Sequence, residues 1–306
     1  MMSKLINFLL DKLNILIIYR QGNALGDQIC LTSVLKEIKK TYKKKIILFT
    51  PFPELFFCNQ NINYIFKLKT NLFYKILLKI IVSMQGSFII EYRTKEKDFE
   101  NKYFLEKIKK PDHLAKIHAE QFLNLDIKEN INCKFNFSEK ELLFYQKKFD
   151  YLLNETYAIV QSETSKKFTN IKNWDLNKIQ NIINFYNKIK WVQVGKGESI
   201  LQNTIDLRNV NIREMAFIFK HSLFILCLES FYNHLASAFN KKVFLIASGF
   251  IPSIFFKYEN TIVIKSPTKP ECEPCFIKGN CPLKNKICTE SISSDDVISQ
   301  IKKYLK

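Results

Sequence analysis

Glycine and proline are scarce in this chain of 306 residues, at 7 and 8 copies, while 47% of residues are apolar and 14% aromatic. That scarcity excludes a collagen-like, linker-like or disordered protein, because such chains are built from the residues missing here and cannot fill a core. Long apolar runs are missing too. Residues 76–82 form the best run, but Lys79 interrupts it, and a bilayer-crossing helix needs ~18 apolar residues or more. The opening stretch MMSKLINFLLDKLN carries Asp11 and Lys12 and shows no small-residue cleavage site. The expectation is a chain without a signal peptide, resident in the cytosol. No GxGxxG fingerprint and no P-loop Lys-Ser/Thr follows the first glycine-containing turn, which excludes the two commonest nucleotide-binding signatures.

Positive charge is in excess: 47 Lys and Arg against 29 Asp and Glu give a net charge of +18. Such a surplus attracts phosphate groups and acidic lipid. The basic residues are dispersed, with small clusters at 43–45 and 107–110, a pattern that makes a nucleic-acid-binding arm unlike this chain. A noncatalytic, basic nucleic-acid-binding protein with a zinc ribbon is the distant alternative. Eight cysteines in a reducing compartment imply metal ligands or buried thiols rather than disulfides.

The length allows two ordinary domains. Short β-branched runs alternate with segments of helical period, the pattern of parallel strands joined by crossover helices. Strands are expected at 14–19, 46–50, 64–66 and 87–92, with helices at 28–42 and 72–84. After a polar, helix-prone connection at 138–154, a second series begins. Its strands are expected at 158–161, 190–194, 223–227 and 243–247, its helices at 175–187, 212–220 and 232–239, and a last helix at 293–305. The reading is an α/β chain of two doubly wound domains, 1–150 and 151–306, with a ligand cleft at the carboxyl ends of their strands.

Several segments carry chemistry. In ILIIYRQGNALGDQICLTSVLKEIKKTY, Gly22 and Gly26 lie in a turn between strand and helix, where free backbone N–H groups can meet an anion. Asp27 opens that helix, where it would cap or complement the helix start. Downstream, SETSKKFTNIKNW is a hydroxyl- and lysine-rich loop able to donate to phosphate oxygens. LFILCLESFYNHLASAFNKKVFLIASG runs strand, elbow, helix, strand, with Ser230 and a helix N-terminus at the elbow. CEPCFIKGNCPLKNKIC spaces Cys272, Cys275, Cys281 and Cys288 as C-x2-C-x5-C-x6-C. Four thiolates on a short loop suit a tetrahedral zinc or iron site, and packed reduced thiols are the other reading.

The order of these segments resembles glycosyltransferase family 9, the heptosyltransferase-like group. FPELFFCNQNINYIF and HAEQFLNLDI are similar to that family's second-helix and third-strand segment and its histidine-bearing helix. The resemblance covers most of residues 14–290 and is weakest over 72–110. It implies a GT-B fold of two Rossmann-like domains, the first binding acceptor and the second nucleotide sugar, and metal-independent, inverting transfer. Asp27 takes the role of general base. Thr164, Ser165 and Lys172 are implied as phosphate contacts, Glu198 as the ribose acid and Met215 as an adenine contact, against a plain core-packing role for Met215. Glu229, Ser230 and His234 match an acid, hydroxyl and histidine signature, although Phe231 stands where the family prefers glycine and Glu229 replaces the commoner Asp. The implied donor is ADP-heptose. The implied acceptor is an anionic glycolipid or glycan, such as lipopolysaccharide core, met at the cytoplasmic face of the inner membrane. A branch that glycosylates proteins, of the autotransporter-heptosyltransferase type, has a similar cysteine segment as an iron-binding finger, so a protein acceptor or another nucleotide sugar is the close alternative.

Overall fold

The computed structural model describes residues 8–19, 24–68, 89–91, 112–123, 125–128, 131–165, 169–277, 279–283 and 285–306. The chain divides into two compact units, Met1–Ser138 and Glu139–Lys306.

In the first unit, β1 (Ile15–Tyr19) leads into α1 (Leu25–Tyr42), followed by β2 (Lys45–Thr50), β3 (Tyr64–Lys67), β4 (Ile89–Glu91) and α2 (Leu114–Leu123). The four strands form one parallel sheet in the order β3-β2-β1-β4, with Ile15 opposite Lys45 and Ile17 opposite Ile89. Leu16 and Ile18 of β1 and Ile29, Val34, Leu35 and Ile38 of α1 are all fully buried. Each such side chain contributes roughly 1.5–3 kcal/mol relative to exposure. Asp27 in the first turn of α1 and Lys39 and Lys40 in its last suit the helix dipole. The helix ends where Lys43 takes a left-handed conformation at φ 52°. The helix expected at 72–84 lies outside the described residues, as do 87, 88 and 92 of the fourth strand.

The second unit opens with α3 (Glu139–Lys148) and α4 (Asp150–Leu153). It continues with β5 (Tyr157–Gln161), α5 (Leu176–Phe185), β6 (Lys190–Val194), β7 (Thr204–Asp206) and α6 (Ile212–His221). Then follow β8 (Phe224–Leu228), α7 (Phe231–Ser237), β9 (Lys242–Ile246), β10 (Thr261–Ile264), α8 (Ile287–Glu290) and α9 (Ser294–Leu305). The expected division at 150/151 is moved to Ser138/Glu139, because α3 packs within this unit. Arg213 of α6 forks onto Glu141 of α3, Lys148 pairs with Glu214, and the Tyr145 and Phe149 rings lie 5.6 and 6.1 Å from Phe217.

All six strands are parallel, in the order β10-β9-β8-β5-β6-β7. Counted from β7 this is third, second, first, fourth, fifth, sixth, so the winding reverses between β5 and β8, where such sheets open a ligand crevice. Below that point, Trp191, Phe224 and Phe244 pack edge to face at 5.6 and 5.4 Å. Ile179, Ile182 and Ile183 of α5 and Val297, Ile298 and Ile301 of α9 complete the core. Asn211 and Ser293 start α6 and α9 with reciprocal capping boxes. No described helix is long and apolar enough to cross a membrane.

Candidate functional site

Two buried glutamines organise the carboxyl ends of the central strands in the second unit. Gln161, the last residue of β5, accepts from Ser230 Oγ at 2.7 Å and Leu228 N–H at 3.2 Å, and donates to the Glu163 carbonyl at 3.0 Å. It therefore bridges β5 and β8 where the winding reverses. Gln193 of β6 donates to Ser162 Oγ at 2.9 Å and the Ser199 carbonyl at 2.7 Å, and accepts from Leu201 N–H at 2.9 Å. An amide inside a sheet buried on both faces must find such partners. These residues stand out in YAIVQ and WVQVG as lone polar groups in apolar strands. That signal could have marked them, but the resemblance gave them no role.

Of the expected donor-binding residues, Ser230 is the one hydrogen-bonded to these glutamines, through Gln161. Ser230 caps α7, accepting from Tyr232 N–H at 3.3 Å, and α7 runs only seven residues. Glu229 is buried and accepts from Ser248 N–H and Oγ at 2.7 and 3.0 Å, bracing the loop after β9 rather than facing solvent. Burial pushes its carboxyl up to about 7, with the Lys172 ammonium and the Ser248 hydrogen bonds pulling it down. Lys172 lies over the Phe250 ring, 4.7 Å from its centroid. It is thus brought to the elbow that Glu229 and Ser230 form. Thr164 is buried, and both its N–H and hydroxyl donate to Asn173 Oδ1 at 2.7 and 2.8 Å. Ser165 is exposed. His234 Nδ1 meets the Tyr258 hydroxyl at 2.6 Å, one turn into α7.

The turn after β6 forms an open concavity lined by Gly195, Lys196, Gly197, Glu198, Arg208 and Asn209. Glycine is required there. Gly195 has φ +125°, and a Cβ on Gly197 would lie 1.7 Å from the Glu163 carboxylate. Arg208 holds this turn, donating to the carbonyls of Gly197 at 2.6 Å and Ser199 at 3.2 Å while its other nitrogens fork onto Asp206 at 2.8 Å each. Glu198 is exposed on the turn. Met215, in contrast, is 4% exposed on the core face of α6, which leaves it almost no surface to offer a base.

In the first unit, Gly26 and Asp27 stand in the first turn of α1, past the carboxyl end of β1, and Gly22 lies outside the described residues. Ala24 is the N-cap and supplies no side-chain hydrogen bond, so Asp27 is not the capping residue. It is half-buried, with its own helix start to complement.

Cys272, Cys275, Cys281 and Cys288 all line one small apolar cavity beside Gly249. Backbone N–H groups of Ile277 and Gly249 donate to the Cys275 and Cys288 sulfurs, while burial holds both thiols above their ordinary range and neighbouring thiols push further in that direction. The four thiols share one cavity and are of a type that suits a soft cation, but no three of their sulfurs lie within 4.8 Å of one another as a closed metal site would need.

No protein-family model and no curated protein matches the chain. Solved structures do. A glycosyl transferase family 9 protein from Veillonella parvula superposes with a TM-score of 0.73 at 14% identity, over 95% of this chain and 97% of that one. The ADP-heptose lps heptosyltransferase II of Escherichia coli gives 0.69 at 10% identity, over 95% and 98%. The iron-containing dodecameric glycosyltransferase TibC of enterotoxigenic E. coli gives 0.66 at 14% identity, over 96% and 77%, and has also been solved with ADP-D-β-D-heptose. The chain thus has a GT-B fold, two Rossmann-like domains in tandem. More narrowly, it is the form of that fold seen in family 9 glycosyltransferases and heptosyltransferases.

Proposed function

We propose that the protein is a glycosyltransferase that moves a sugar, with inversion, from a nucleotide donor to an acceptor hydroxyl. The observation that carries this reading is the β5/β8 reversal point, where Gln161 holds Ser230 and the Lys172 ammonium acts on the adjoining Glu229, in the fold of proteins that include ADP-heptose transferases. Charge develops on the diphosphate as the anomeric bond breaks. A lysine and backbone N–H groups are suited to stabilise it. Glu198 accepts from ribose hydroxyls, and Ser230, held by Gln161, presents the elbow to the phosphates. Asp27 takes the proton of the acceptor hydroxyl as that oxygen attacks, a task open to a half-buried carboxylate. Every step is assigned to groups of the chain itself, and the transfer proposed is metal-independent.

The donor is ADP-heptose and the acceptor a hydroxyl of lipopolysaccharide core or a related anionic surface glycan, a choice the +18 charge supports. Eight free cysteines support a cytoplasmic location, with peripheral attachment to the inner membrane. Cys272, Cys275, Cys281 and Cys288 would hold zinc or iron, which would cross-link the loop without an open position for chemistry. The same loop favours a second reading, a protein hydroxyl as acceptor, since the cysteine segment resembles the iron-binding finger of the protein-modifying branch, and one structural neighbour, TibC, is iron-containing. The two separate in one assay: ADP release from ADP-heptose with truncated lipopolysaccharide as acceptor, against release with a serine-rich polypeptide. Release with neither acceptor, nor with other nucleotide sugars, overturns the transferase reading.

A further inference from the structure

Phe250, in the loop after β9, is buried, and the Lys172 ammonium lies over its ring, 4.7 Å from the centroid. The phenylalanine N–H donates to Ser248 Oγ at 3.2 Å, and that hydroxyl donates in turn to the buried Glu229 carboxylate at 3.0 Å. Its carbonyl accepts from Phe276 N–H at 3.1 Å, and the two rings stand 6.3 Å apart. The cysteine loop grips the lysine's side of the pair as well. Asn170 N–H and Thr169 Oγ1 donate to the Gly279 carbonyl at 3.0 and 3.1 Å, and Lys286 Nζ donates to the Asn173 carbonyl at 3.3 Å. Ile171 lines the same small cavity as the four cysteines. Ring and lysine are thus anchored to one loop, all of it within the second unit.

We propose that Phe250 is a positioning residue, holding the Lys172 ammonium where the donor's diphosphate departs. A lysine head is a point charge on a flexible four-carbon stem, so its place is set by what it rests on. An aromatic face attracts the cation through its quadrupole and leaves the charge in place for an incoming anion. A carboxylate partner would neutralise that charge. The nearby Glu229 is instead turned onto Ser248, which donates to both of its oxygens. Packing alone would ask only for apolar bulk at this position, whereas a cation over the ring asks for an aromatic face. This role rests on the transferase reading and adds to it the group that steadies its phosphate-facing cation.

The test uses the full chain with Phe250→Leu, Lys172→Met and the two combined; Phe250→Met replaces Phe250→Leu if the latter does not fold. Titration calorimetry measures the affinity for ADP, or for UDP and GDP where ADP does not bind, and for the matching nucleoside. Phe250→Leu should weaken the diphosphate about three- to tenfold and leave the nucleoside unchanged. On the Lys172→Met background it should have no further effect. Nuclear magnetic resonance of lysine-labelled protein without nucleotide reads the contact itself. The Lys172 ε-methylene signal, identified by its loss in Lys172→Met, should be shifted upfield by the ring and return to its ordinary position in Phe250→Leu. An unshifted lysine, additive losses in the double variant, or equal losses for diphosphate and nucleoside would overturn the role. Diphosphate binding that Phe250→Leu leaves untouched overturns the role alone. A parent that shows the shifted lysine yet binds no nucleoside diphosphate overturns the role and the transferase reading together.

Discussion

Burial raises the Glu229 carboxyl to about 7 from an ordinary 4.5, with Lys172 and Ser248 opposing that rise. The folded chain therefore binds this proton more tightly than the unfolded chain does. The stability it confers is complete below about 4.5 and is lost as pH rises to about 7, then stays level. Replacing Glu229 with Gln removes the titration. The stability of the parent minus that of Glu229→Gln should fall by a few kcal/mol, in order of magnitude, across that window, as read by urea midpoints. A difference that is flat or rises contradicts the assignment. Gln161 offers a second test. In Gln161→Leu the Ser230 hydroxyl and the Leu228 N–H lose their acceptor, at a cost of about 1–3 kcal/mol, and ADP affinity should fall with it. An unchanged urea midpoint would show that the bridge is dispensable. These roles were only half legible beforehand: the ESFYNH elbow showed in the sequence, but nothing local says that Glu229 faces inward, which depends on where the loop after β9 returns.

At the scale of elements, the turn after β6 is held by Arg208 more than by its own residues. A lysine cannot satisfy two carbonyls and a forked carboxylate together. Arg208→Lys should weaken ADP binding about tenfold, a loss of roughly 1.4 kcal/mol, while the melting temperature barely moves; titration calorimetry and thermal unfolding read the two quantities. Equal loss of both would make Arg208 a general stabiliser instead. The cysteine loop is the other element with a clear test. Purified protein should carry one zinc or iron per chain by elemental analysis. Chelation, or Cys275→Ser, should remove that metal and lower the melting temperature. Metal-free protein with an unchanged melting temperature would return the cysteines to simple packing. The central strands and helices were readable because apolar runs such as FILCL and a moment-bearing helix such as IREMAFIFKH declare their period locally. Two strands were missed, β7 and β10. β7, reading TID, has no apolar run to declare it and forms on the edge that β6 offers, whereas β10, reading TIVI, carries the same β-branched signal as the strands that were found and was passed over. The first-unit boundary also moved, since α3 reads as a polar linker until Glu141 and Tyr145 find Arg213 and Phe217.

At the scale of the whole molecule, the order of strands joins sequence to function. Two parallel sheets wound outward from a central strand each bring loop residues distant in the chain to one edge, and in the second unit that edge collects Lys172, Glu198 and Ser230. The alternation of strands and helices made the doubly wound architecture legible. The roles of individual residues came from a resemblance too distant for whole-chain identity, 10–14% with the solved neighbours, to fix them. The most direct measurement is therefore thermal unfolding with ADP-heptose, paired with turnover, on the parent and on Asp27→Asn. Both proteins should gain ~2.7 kcal/mol at ligand concentrations near 100 times the dissociation constant, while turnover in Asp27→Asn should drop by ~10²–10⁴. No stabilisation by ADP-heptose or any other nucleotide sugar, or full turnover without the Asp27 carboxylate, would contradict the account.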